Sequence, residues 1–161
     1  MNRIFNLLLI CLLSIPNFAY PQELSIDTFG NQKSILTDHQ ILTDSTIKYD
    51  FGYGCYFSGS QPKGIQSIND LIRRNDIQTI RPVLDGHNNE GKVYAIEALL
   101  LLGSKKEIRL DRYDKSKIRL IIKQNFSVNR CQGCFVSTIK STKLFNESYF
   151  KKLLKKKGVV E

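Results

Sequence analysis

Three cysteines carry the most distinctive chemistry in this chain. Cys131 and Cys134 stand three apart in NRCQGCF (129–135), and Cys55 lies in the aromatic, glycine-rich run YDFGYGCYFSGSQPKG (49–64). A CxxC pair supports three kinds of chemistry. A redox pair belongs at a helix N-terminus after a strand, where the helix dipole lowers the pKa of the first thiol. Half of a zinc site needs two further ligands, and Cys55 with either His39 or His87 supplies a Cys₃His set. In a structural staple, one of the two bonds Cys55, or the two close on each other, with glycine between them allowing the tight turn. A bond to Cys55 closes a loop of about 75 residues and contributes roughly 3–4 kcal/mol. The pair follows a helical pattern, no βαβ alternation surrounds it, and the Cys and His spacings match no zinc motif. The staple is therefore the favoured reading.

Other chemistry is sparse. His39 and His87 are the two histidines, and His87 falls in the polar turn DGHNNEG, where it reads as an exposed loop residue. Asp85, Glu90 and Glu97 read as cap and helix-face residues rather than as a carboxylate pair. No Ser–His–Asp grouping and no phosphate loop is present. No catalytic residue is assigned, and no resident cofactor is expected.

Residues 1–19 set the compartment. Arg3 supplies a positive start, 4–15 is almost wholly apolar, Pro16 breaks the run, and Ala19 is the residue before the expected cut. That is the layout of a secretory signal peptide, with an apolar core short for a bilayer span. The expectation is an exported protein, periplasmic or secreted, with no transmembrane segment after cleavage. Cys11 leaves with the leader. Cys55, Cys131 and Cys134 remain, so in an oxidising compartment one disulfide and one free thiol is the simplest state.

The elements that must position these residues come next. Residues 20–64 show no helical period and read as an irregular or partly extended arm, ending in the aromatic loop around Cys55, with Tyr53, Tyr56 and Phe57 as its packing residues. Residues 65–161 read as a helical domain. Ser67 is the expected cap for a helix carrying Ile68, Leu71 and Ile72. A short helix follows over 77–84, with Pro82 inside it. The strongest helix spans 91–102. It is apolar nearly all round, so it belongs at the buried centre, with Gly103 as its end. Asp111 or Asp114 caps the next helix, the stretch 135–145 has no clear state, and Asn146 caps a final helix over 147–157. The fold class is mainly α.

The run LDGHNNEGKVYAIEALLLLG (84–103) resembles the junction and second helix of a HEAT-type helical repeat, through Leu84, Asp85, Glu90, Lys92, Ala95, Glu97, Ala98, Leu99 and Gly103. The resemblance covers about residues 67–103 and implies short stacked helical hairpins, with Asp85 capping across the turn. Gly91 departs from it, standing where such repeats place Val or Ile. The chain also resembles small secreted proteins of unassigned function that carry such a unit and a late CxxC. HEAT-like units bind other macromolecules, so the implied role is a small binding or scaffold module whose partner is another protein. The alternative is a thiol–disulfide or zinc-dependent protein acting through the CxxC pair.

Charge is segregated. Residues 20–100 hold seven Lys/Arg against ten Asp/Glu, whereas 101–161 hold sixteen against five. The densest basic patch is Lys151, Lys152, Lys155, Lys156 and Lys157, which suits an anionic surface or partner. Nucleic acid is not expected, because the basic residues are not interleaved with aromatics as in single-strand binders.

Overall fold

The computed structural model describes residues 36–160; the leader assigned to 1–19 and the arm over 20–35 lie outside them. In chain order the elements are α1 (Asp38–Thr43), α2 (Lys63–Arg73), α3 (Ile77–Val83), α4 (Asn89–Ser104), α5 (Arg112–Lys123), β1 (Ser127–Gln132), β2 (Phe135–Lys140), α6 (Ser141–Phe145) and α7 (Ser148–Lys156). The fold is mainly α, with one two-stranded sheet among the described residues.

A helix apolar on every side needs neighbours on every side, and α4 has them. It packs against α1, α2, α3, α7 and β1, and Val93, Ala95, Ile96, Leu99 and Leu100 have no exposed surface. Asn88 caps it, accepting from the Gly91 N–H at 3.0 Å. Asp85, assigned to the cap by the repeat-like pattern, pairs instead with Lys117 of α5. The helix runs through Gly103, expected to end it, to Ser104. Gly103 is buried there, and its carbonyl accepts from Lys157 Nζ at 2.5 Å.

The start of α2 also moves. Ser67 is buried inside the helix rather than capping it, and Pro62 is the N-cap. The fixed φ of proline pre-sets a helix start, which places the first turn ahead of Ser67. Both candidate caps of α5 are used: Asp111 accepts from the Asp114 N–H at 2.7 Å, and Asp114 accepts from the Asp111 N–H at 3.2 Å. Asp114, only 2 % exposed, also takes both Nε and Nη2 of Arg81 at 3.0 Å. A bidentate Arg–carboxylate pair of this kind ties α3 to α5.

Two further departures concern segments whose partners are remote in sequence. Within the stretch read as an irregular arm, 38–43 form α1, closed by a capping box between Thr37 and Gln40 and anchored by fully buried Leu42. Residues 36–64 also fall in the same compact unit as the helices. The cysteine pair, expected to follow a helix directly, lies on the β1–β2 hairpin, with Ser127 opposite Lys140 and Gln132 opposite Phe135. Gly133 opens the two-residue loop at φ +58°, the glycine-first pattern of a tight hairpin turn. Asn146, expected to cap the last helix, is the C-cap of α6, and Glu147 precedes α7.

Candidate functional site

The hairpin end is built from two distant stretches. Phe51 lies along the outer edge of β1, donating its N–H to the Asn129 carbonyl at 2.7 Å and accepting from the Cys131 N–H at 2.9 Å. From there the chain passes through Cys55, whose N–H donates to the Ser60 carbonyl at 2.8 Å, and the Tyr56 N–H donates to the Gly133 carbonyl at 2.8 Å. The 52–60 loop and the hairpin turn are thus stitched together by backbone bonds. A disulfide joins Cys55 to Cys131 across 76 residues, with Cα atoms 5.5 Å apart. Cys134 is a free, exposed thiol at the turn.

Packing in the aromatic loop is the reverse of the expected pattern. Phe51 is buried and meets the rings of Tyr94 and Phe150. Tyr53, Tyr56 and Phe57 are exposed, Phe57 by 99 %. A short loop has room for one inward-facing segment, and the pairing of Phe51 with β1 decides which residue that is.

The Cys₃His set is not assembled as a cluster. Cys55 and Cys131 are bonded to each other, His39 and His87 are exposed on α1 and in the α3–α4 turn, and among the described residues no group of three or more His, Cys, Asp or Glu could hold a metal ion. The basic patch is divided. Lys151, Lys152, Lys155 and Lys156 are exposed on α7, whereas Lys157 is partly buried and reaches the Gly103 carbonyl. Phe150 and Leu154, the apolar face of α7, are buried in the core, so the exposed face of that helix is mainly charged, with half-exposed Tyr149 beside it. A shallow depression of about 450 Å³ at the start of α5 is lined by Arg109, Leu110, Asp111, Arg112 and Lys115.

One site has no counterpart in the sequence reading. Glu97, in the middle of α4, is 4 % exposed. Its Oε1 accepts from the hydroxyls of Tyr53 and Tyr149, the latter at 2.6 Å. Burial raises the Glu97 carboxyl above the usual carboxylate range, and the two hydroxyl donors oppose that rise. The tyrosines, each about half exposed, respond in kind: partial burial first, then the Glu97 carboxylate, push Tyr149 up to about 12 and Tyr53 further. Glu97 lines a cleft of about 170 Å³ together with Tyr53, Tyr94, Ile65, Ile68, Ile72 and Leu101, and with Gln61 and Asn69 among the polar residues. A glutamate inside AIEALLLL was the available signal. Its partners stand 44 and 52 residues away, so no local pattern shows them.

No protein-family model, curated protein or solved structure matches the chain.

Proposed function

We propose that the protein is a small exported binding module. Its helices, with α3 and α4 as a HEAT-like hairpin, form the scaffold, and the stapled hairpin end is the surface offered to another protein. The clustering of exposed aromatic and apolar side chains at that end carries this reading. Phe57 is 99 % exposed, Phe135 81 %, Val136 52 % and Tyr56 51 %. Large apolar groups left in water mark interaction surfaces. A disulfide and a backbone ladder hold this group in place, which lowers the ordering cost of binding. Export is supported by the leader composition and by the Cys55–Cys131 bond. The test is quantitative capture from the native compartment, with the parent chain and a Phe57→Ser/Phe135→Ser variant as baits. A partner recovered by the parent and reduced about tenfold or more by the variant supports the reading, since aromatic anchors of this kind carry 2 kcal/mol or more. Identical recoveries refute it.

The thiol–disulfide or zinc alternative has one observation in its favour, the exposed Cys134 thiol three residues from a bonded cysteine. Intact mass after alkylation, with and without reductant and with added zinc, separates the cases. Alkylation that digestion confines to Cys134, a Cys55–Cys131 bond that resists mild reductant, and no zinc uptake together remove the alternative.

A further inference from the structure

We propose that the Glu97 cleft binds a small organic cation: a primary ammonium group carrying an apolar body the size of one aromatic ring or a short alkyl chain. Glu97 is 4 % exposed, yet no Lys, Arg or His pairs with it among the described residues. A buried carboxylate without a counter-charge is costly, and proteins resolve that by protonation or by a bound cation. Both tyrosine hydroxyls converge on Oε1, which leaves Oε2 without a hydrogen-bond partner among the described residues. Glu97 lines the cleft, and Oε2 is not among the sealed, partnerless side-chain atoms of the described residues, which are the Tyr49 and Ser141 hydroxyls.

The rest of the cleft selects the body of the ligand. Ile65, Ile68 and Ile72 of α2 and Leu101 of α4 line it, and they suit hydrocarbon. Tyr53 lines it as well, and an aromatic ring within reach attracts a cation. At about 170 Å³ the space is small, and a cavity of roughly 150 Å³ admits one benzene ring. A single carboxylate with two neutral hydroxyls is a poor metal site, because hard cations need several oxygen ligands. An organic ammonium needs one acceptor and an apolar wall, and both are present. This inference does not depend on the hairpin end being a docking surface, and either can fail without the other.

The test uses the full chain and two probes of one shape, benzylammonium and neutral benzyl alcohol. The chain has seven tyrosines and no tryptophan, so tyrosine fluorescence reports directly on a cleft lined by two of them, alongside titration calorimetry. The expected result is benzylammonium binding about tenfold or more tighter than benzyl alcohol, the size of a charge-assisted hydrogen bond. Glu97→Gln is expected to abolish that preference while leaving weak binding of the alcohol. Equal binding of the two probes by the parent overturns the proposal, as does a preference that survives Glu97→Gln, or no benzylammonium binding. Asn69→Trp, at an exposed position lining the cleft, keeps the test decisive should Glu97→Gln fail to fold. Loss of benzylammonium binding places it in this cleft, and unchanged binding overturns the assignment.

Discussion

Gly91 is the residue on which the docking of α1 over the start of α4 depends. A Cβ added there would lie 2.8 Å from the Leu42 carbonyl carbon, closer still to its oxygen, and 3.0 Å from the Tyr49 hydroxyl. Side chains at a helix surface swing away from such contacts, but a backbone carbonyl cannot. α1 would have to retreat, and it is tied down. The Thr43 carbonyl accepts from the His87 and Asn88 N–H groups at 2.8 and 3.0 Å, and Asn88 Nδ2 donates to the Asp44 and Ile47 carbonyls at 3.0 and 2.9 Å. Leu42 is fully buried. Overpacking costs about 1–3 kcal/mol, and loosening two of those four hydrogen bonds adds about 2 kcal/mol. Replacing a helix glycine by alanine in the first turn returns at most about 1 kcal/mol. Gly91→Ala is therefore expected to destabilise by about 2–4 kcal/mol. Gly103→Ala, in the same helix, is the control. The three atoms nearest its Cβ would be side-chain atoms of Leu110 and Lys157, at 3.3–3.4 Å, so the expected change runs from neutral to about 1 kcal/mol stabilising. Urea denaturation followed by far-UV circular dichroism measures both, with the slope checked for a constant unfolding reaction. Gly91→Ala as stable as the parent, at an unchanged slope, would refute the close packing of α1 on α4.

Other expectations follow from single contacts. Burial raises the Glu97 carboxyl from its ordinary value of 4.5, so above that value the native state holds a proton the unfolded chain has lost, and stability falls as pH rises towards the raised value. The stability of Glu97→Gln relative to the parent should therefore increase from about pH 4 to about pH 8; thermal melts at both ends check it, and a flat difference contradicts it. Cys55→Ser opens the 76-residue loop and should cost about 4 kcal/mol in chain entropy. A loss under about 1 kcal/mol would mean that the backbone ladder alone holds the hairpin end. Changing Lys151, Lys152, Lys155 and Lys156 together to Gln should abolish sedimentation with anionic vesicles at about 50 mM salt, whereas Lys157, already bonded to Gly103, should contribute little. Binding that survives those changes, or that is as strong on neutral vesicles, removes charge as its cause.

The helical core was legible because helix burial leaves a periodic mark. Val93 to Leu100, Ile118 with Ile121, and Phe150 with Leu154 are all buried at the spacing their sequence shows. The pairing of Cys55 with one member of the CxxC was within reach for the same kind of reason, since three cysteines allow few connectivities. The hairpin leaves a weaker mark. Gln132-Gly133-Cys134-Phe135 offers a glycine-first two-residue loop ahead of the β-branched run over 136–139, but SVNRCQ before it carries one β-branched residue and follows the helical stripe of α5 directly. β1 and β2 also lack strict alternation, since β2 is exposed along most of its length, and an exposed strand carries little hydrophobic pattern.

Composition and period alone determined that the chain is mainly α, that the segment around Leu99 is its centre, and that basic charge gathers in the second half. These are properties of residues and their near neighbours, so the linear order contains them. Tertiary structure alone decided that Phe51, and not Tyr53 or Phe57, enters the core, that Gly91 admits the Leu42 carbonyl, and that Glu97 shares one oxygen between Tyr53 and Tyr149. Each of those depends on groups brought together from about 40 to 80 residues apart, where local propensity is silent and tertiary packing chooses the neighbours.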